Sequence, residues 1–246
     1  TFTQFTPTLG THMARAKHEA AIVLRRNRLP VPAHHLARDE ADAIRIAEAF
    51  GYPVVVKPAD RDGGVGVRAG LQTQADLLDA YRLARQISPN VLVERHAAGR
   101  DYRLTVIRGQ CVWAIERQPA GVVGDGRTTL AQLVAQANMN PARSESPHAP
   151  LTPLRLDEDA LGLLRSDGLT AETMPDRGRF VRLRRSANVS SGGMPVAVAD
   201  RVHPDNAALA VRAAGALQLD VAGVDLIMLD IAVSWKDSEG VICEVN

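Results

Sequence analysis

Apolar positions recur along this chain in two rhythms, one of about 3.6 residues and one of two, and the rhythms alternate several times. Residues 13–28, MARAKHEAAIVLRRNR, carry an apolar stripe at helical spacing. The prolines of the LPVP that follows end this helix, because proline cannot continue one. Residues 39–50 predict a second helix, with acids in the first turn, Ala and Ile at helical spacing, and Gly51 as its C-cap. The rhythm then shortens. Pro53 leads into Val54, Val55, Val56, Lys57 and Pro58, a β-branched strand closed by proline. Residues 60–66, DRDGGVG, form a glycine-rich turn, and 65–69 can return from it as the second strand of a hairpin.

A helix at 73–86 and a strand at 90–95 follow. Residues 102–107 and 111–116 read as a strand pair around Arg108-Gly109. The stretch 119–153 is polar and turn-rich, with one helix at 128–138. A helix at 157–167, a strand at 180–184, a polar loop at 186–193 and a helix at 204–217 come next, and strands at 222–229 and 241–245 close the chain. Helices mixed with hairpins predict an α+β fold, not a doubly wound sheet. Residues 119–180 read as an insertion between two strand-rich parts.

Composition narrows the function classes. The chain has 246 residues, 46% of them hydrophobic and 23% charged, an ordinary globular balance. A formal net charge of +1 supplies no global field to hold nucleic acid or an anionic membrane. No apolar run reaches the ~18 residues of a membrane span, and residues 1–10 lack a signal-peptide pattern. Cys111 and Cys243 sit far apart in apolar runs, read here as buried reduced thiols of a cytoplasmic protein. Only three lysines occur, Lys17, Lys57 and Lys236, so each is informative where arginine supplies the rest of the positive charge.

The candidate chemistry lies in three places. The glycine loop lacks both the GxxxxGK[ST] and GxGxxG patterns, and alone it equally reads as a plain hairpin turn. A strand bearing Lys57 runs straight into it, and that combination suits phosphates approached by backbone N–H groups. Near the C-terminus, Asp225 lies in the apolar run AGVDLI, and Glu244 and Asn246 share one strand face in EVN. Two acids and an amide oxygen form a hard donor set of the kind Mg²⁺ takes, although each acid alone could be a strand-end charge. No His/Cys group has zinc spacing. Glu94 ends the strand VLVE, with Asp101 seven residues on; backbone around Leu92 and Val93 could read adenine, and Asp101 could accept from ribose hydroxyls. The histidines form no cluster.

In order and spacing these residues resemble the ATP-grasp family: helical Lys17, VVVKP, the glycine loop, VLVE, Asp101, Asp225 and EVN. Within it the chain looks most like the cyanophycin-synthetase-like branch, through VLVERHAAGRDYRL, PAGVVGDGRTT, LTPLRLDEDALGLLRSDGLTAETMPDRG, RRSANVSSGG and DRVHPDN. The segment LRLDEDALGLLRSDGLT points to that branch, since the general fold does not demand it. The resemblance implies an ATP-grasp fold with a small inserted accessory subdomain. Residues 1–27 would be a lead-in with the first core helix, 28–95 a lid with the glycine loop, 96–118 and 181–246 the core with the metal site, and 119–180 the insertion. It also implies an ATP-dependent acid–amino-acid ligase working with ATP and Mg²⁺ on an amino acid, aspartate in this branch, and a peptide or polymer acceptor. Lys17 and Lys57 would contact phosphates, with Gly63, Gly64 and Gly66 folding over them. Glu94 and Arg95 would form the adenine hinge, and Asp101 would hold ribose. Asp225, Glu244 and Asn246 would bind Mg²⁺. Arg103, Arg185 and the loop Asn188, Ser190, Ser191 and Gly192 would face the acyl phosphate and the acceptor. The branch forms homo-oligomers and carries its arginine-adding module elsewhere. Two other expectations stand beside this one: a related ligase for another amino acid or dipeptide, such as a glutathione-synthetase-like or glutamylglutamine-forming enzyme, and a degenerate nucleotide-binding module.

Overall fold

A computed structural model describes residues 3, 5–61, 64–146, 148–185 and 187–246. The chain divides into two compact units, one made of Thr1–Glu116 with Ala197–Asn246, the other of Arg117–Val196. The second unit is wider than the 119–180 stretch that the turn-rich composition marks.

The first unit contains a four-stranded antiparallel sheet in the order β1-β4-β2-β3, made of β1 (His34–Ala37), β2 (Val54–Pro58), β3 (Arg68–Leu71) and β4 (Val91–Arg95). Two helices cover one face, α3 (Glu40–Phe50) and α4 (Gln74–Ile87). Both start where a short polar side chain caps a free backbone N–H: Asp39 accepts from Asp42 N and Thr73 from Asp76 N. Val54, Val56, Val91 and Val93 pack under Ile46, Leu77, Ala80 and Ala84. Side chains alternate along a strand, so Val55, Lys57, Leu92 and Glu94 take the opposite face. All five residues of β2 are nonetheless buried.

A second sheet of this unit runs in the order β11-β10-β5-β6, with β5 (Arg100–Ile107), β6 (Gln110–Gln118), β10 (Val221–Met228) and β11 (Val241–Val245). Tyr102, Leu104, Val106, Val224, Leu226 and Val245 form its core face, joined by Leu24 of α2 (Lys17–Arg26) and Leu209 and Ala213 of α7 (Pro204–Ala216). The second unit has its own core. It packs α5 (Leu130–Asn138) and α6 (Glu158–Ser166) with the antiparallel pair of β7 (Gly121–Val123) and β8 (Phe180–Arg182), through Leu130, Val134, Leu164, Val122, Val181 and Leu183. A capping box between Thr129 and Gln132 opens α5.

Several local expectations are corrected. The helix expected over 13–28 is two helices, α1 (Thr8–Arg15) and α2, broken at Ala16, whose φ of −86° and ψ of 88° leave the helical well. The return strand expected at 65–69 begins only at Arg68. Gly64 and Gly66 both have left-handed φ, 77° and 72°, and Val67 N still bonds Gly64 O, so the chain is turning until 67. Strands β1, β7 and β9 (Met194–Ala197) were not expected; each is three or four residues long. Among the described residues no helix is long and apolar enough to cross a membrane.

Candidate nucleotide and metal site

The site grows from the pairing of β5, β10 and β11. Asp225 lies opposite Arg103 on one side and Glu244 on the other, while Ile227 lies opposite Asp101. Asn246 exchanges both backbone bonds with Gly223, at 2.8 and 2.9 Å. Directly opposed residues of an antiparallel pair share a face. Asp101, Arg103, Asp225, Glu244 and Asn246 therefore project together, away from the apolar core of the same strands. The register shifts between Asp225 and Leu226, since Leu226 pairs with Ile242 and leaves Cys243 as the extra residue of a β-bulge.

Ion pairs occupy this region. Arg103 forks onto Asp225, with Nε to Oδ1 at 2.6 Å and Nη2 to Oδ2 at 2.8 Å. Lys17, the first residue of α2, donates from Nζ to Glu244 Oε1 at 2.7 Å and to the Arg61 carbonyl at 2.6 Å. On the first sheet, Lys57 Nζ lies 2.8 Å from Glu94 Oε2, and both side chains are buried. That contact follows from register: Val55 opposes Glu94 and Lys57 opposes Leu92, so the two charges are diagonal neighbours on one face. Burial opposes the Lys57 ammonium, but the charges of Glu94 and Glu244 outweigh it and hold the amine above its ordinary value.

An open cleft of about 390 Å³ is lined by Lys17, His34, Lys57, Leu92, Glu94 and Glu244, with Cys243 beside them. Burial pushes the Cys243 thiol up to about 12, so it stays protonated at neutral pH and is no nucleophile. His34, opposite Glu94 on β1, is lowered to about 4 by burial and then by the Arg25 charge. Arg25 Nη2 sits 3.0 Å from its Nδ1, and His18 Nδ1 sits 3.1 Å from its Nε2. The same Nδ1 also lies 3.2 Å from the Pro32 carbonyl, to which Arg25 Nη2 donates at 2.7 Å. Sequence reading missed His34, because a four-residue edge strand shows no periodicity. It took Cys243 only for a buried thiol in an apolar run, because a bulge shows only once the partner strand is known.

Other expected residues fall in different places. Arg95 ends β4, is exposed, and its backbone N–H bonds Ala33 O. Gly64 and Gly66 shape the turn after β2, and a Cβ on Gly66 would press on the Pro58 ring at 2.9 Å; Gly63 lies outside the described residues. In the second unit, Arg185 is exposed and Asn188 caps a short turn at Val189–Ser191. The Asn188 carbonyl accepts from Ser191 N, Ser191 Oγ and Gly193 N at 3.1, 2.9 and 3.0 Å. Gly192 has a left-handed φ of 94°, and Gly193 has no room for a Cβ, which would meet Gln118 O at 2.7 Å. The Ser190 side chain is outside the described residues. Arg143, unremarked in the sequence, bridges the carbonyls of Thr152 and Gly192 through Nη1 at 2.7 and 3.1 Å and so ties this loop down.

The donor chemistry fits a hard cation. Two carboxylates face each other across β10 and β11, with an amide two residues on. Among the described residues no group of three or more His, Cys, Asp or Glu converges on a metal position, so a cation here would rest on two carboxylates and the amide.

Comparison with known proteins agrees with this architecture. The family described as D-ala D-ala ligase C-terminus matches residues 28–145. The cyanophycin synthetase of Trichormus variabilis is 36% identical over the whole chain, which spans 27% of that protein's length. Among solved structures, a bifunctional glutathione synthetase from Pasteurella multocida superposes with a TM-score of 0.67 at 28% identity, covering 100% of this chain and 34% of its own. The ATP-grasp ligase PsnB shares the fold at a TM-score of 0.53 and 17% identity, covering 98% of this chain and 55% of its own. The chain thus has the ATP-grasp fold, and its entire length matches a stretch, about a quarter, of the cyanophycin synthetases.

Proposed function

We propose that these residues form the ligase module that uses Mg-ATP to activate a carboxylate and join it to an amine, adding aspartate to the C-terminal carboxylate of a cyanophycin-like Asp/Arg polymer. One observation carries this reading. The strand face that sets Arg103, Asp225, Glu244 and Asn246 side by side belongs to a chain 36% identical throughout to a cyanophycin synthetase.

Each residue then has a task. Lys17 and Lys57 neutralise phosphate oxygens, and the turn at Gly64 and Gly66 brings backbone N–H groups near them. Leu92, Glu94 and Arg95 line the base, and Asp101 accepts from ribose. Asp225, Glu244 and Asn246 hold Mg²⁺. When bound, Mg-ATP supplies the γ-phosphoryl group: a carboxylate oxygen of the acceptor bonds to the γ-phosphorus and the bond to ADP breaks. The amine nitrogen then bonds to the acyl carbon, inorganic phosphate leaves, and the nitrogen gives up one proton. Arg103 and the loop from Asn188 to Gly192, with Arg185 beside it, steady the charge that builds on the transferring oxygens. The residues position and neutralise, and no side chain becomes covalently bonded. The same reading makes 28–95 the lid, 119–180 an accessory subdomain that guides the polymer, and the protein a cytoplasmic homo-oligomer.

A substrate panel tests the proposal. Phosphate release from ATP is expected with aspartate plus a β-Asp-Arg primer, and little without the primer. Turnover with glutamate alone, or without any primer, would sink the aspartate assignment and leave the ligase class standing. A glutathione-synthetase-like reading is the second one, favoured by the 28% identity and full coverage of the Pasteurella multocida structure; primer-independent turnover would select it.

A further inference from the structure

The proposed metal ligands are not idle carboxylates. Asp225 has 3% of its side chain exposed, and Arg103 grips both of its oxygens. Glu244 has 22% exposed, and Lys17 grips one of its oxygens. A fork of two charge-assisted bonds on a buried carboxylate is among the stronger interactions a side chain makes. It also sets a positive charge beside the oxygens that a divalent cation would approach. The cations cannot be exchanged for metal without being placed elsewhere, because a guanidinium or ammonium left near Mg²⁺ at short range is repelled by it.

From this geometry we infer that Arg103 and Lys17 are caps on the metal site: each holds its carboxylate against a divalent cation until an incoming oxyanion draws it away. The inference rests on the ligase reading and adds a control to it. Nucleotide phosphates can take Lys17, and a phosphorylated or carboxylate group can take Arg103. Metal therefore enters together with its nucleotide and is refused by the chain alone. The two caps differ in grip. Arg103 is the stronger, being bidentate on a nearly inaccessible acid. Lys17 is monodentate on a more open acid and shares its ammonium with the Arg61 carbonyl.

The test uses the whole chain and Mn²⁺ alone, followed by electron paramagnetic resonance without nucleotide. The wild-type chain is expected to bind Mn²⁺ weakly. Arg103→Met should bind it at least tenfold more tightly, Lys17→Met several-fold more tightly, and Arg103→Lys close to wild type. Adding Asp225→Asn to Arg103→Met should abolish the gain. If Arg103→Met folds poorly with its acid uncovered, Mn²⁺ should raise its melting temperature more than that of wild type, as a ligand of the native state does. Lys17→Met, whose acid is more open, carries the same test independently. Equal Mn²⁺ affinity in wild type, Arg103→Met and Lys17→Met would overturn the inference. A parallel titration of Mn²⁺ with a non-hydrolysable ATP analogue separates the two levels. If Asp225→Asn and Glu244→Gln leave that binding unchanged, the site reading itself fails. If they weaken it while the cap variants do nothing, only the caps fail.

Discussion

The two sheets of the first unit each carry an acid–base pairing, and they differ in what surrounds it. Lys57 and Glu94 leave 6% and 7% of their side chains exposed, each covered by its own sheet and its neighbours. Arg103 is 36% exposed against Asp225 at 3%, and Lys17 is 10% against Glu244 at 22%. The first pair has no open member, whereas each of the others has one partner that can move into water. Charge pairs sealed on both sides are held by the fold. Pairs open on one side can exchange partners, whereas Lys57 would meet a phosphate while still holding Glu94.

The largest test of this contrast removes half of the sealed pair. Lys57→Met leaves Glu94 buried without its counter-charge and should lower unfolding free energy by about 3–5 kcal/mol, read by urea denaturation. The double change Lys57→Met with Glu94→Leu should recover most of that loss, since a matched apolar pair replaces a buried ionic one at little cost. Recovery of nothing would mean that the loss comes from packing and not from charge.

The next effect is a pH dependence on the same sealed side. His34 in the folded chain takes its proton only near pH 4, against an ordinary value of 6.5. Between those values the unfolded chain binds more protons, so stability falls as pH drops through that window, by about 3 kcal/mol in all. Below the folded value both states are protonated and the slope ends. Denaturation midpoints measured from pH 7 to pH 4 should show this limb, and His34→Gln should flatten it. A limb unchanged in the variant would assign the proton uptake to other groups.

The smallest effect belongs to the open side. Glu244→Gln should lower stability by less than Lys57→Met does, because the acid is 22% exposed and the amide oxygen can still accept from Lys17. If it matches the Lys57→Met loss, the distinction between sealed and exchangeable pairs is broken.

Much of the frame was readable from residues. VVVKP and VLVE announce buried strands, and the alternation in 222–228 separates Asp225 from the core valines and leucines by simple parity. The N-caps Asp39 and Thr73 sit where short polar residues precede a helical rhythm. What stayed hidden depends on pairing. Nothing local marks Ala16 as a helix break, since it is neither glycine nor proline, yet the break makes Lys17 the first residue of a new helix. The contacts Lys17–Glu244 and Arg103–Asp225 join residues 227 and 122 positions apart; the packing of α2 on β11 makes the first and strand register the second. Arg143 looked like any arginine in a polar stretch, because its partners are backbone carbonyls, which leave no trace in sequence.

The bulge at Cys243 bears on how this strand can change length. In a regular strand, losing one residue turns every later side chain to the other face. Here Ile242 already opposes Leu226 and Glu244 already opposes Asp225, so excision of Cys243 would leave a flush ladder with both matches intact. The last strand thus contains one position where a deletion is silent for the alternation of core and site. The residue there remains free to vary in size as the wall of the cleft, while its neighbours are fixed by what they face.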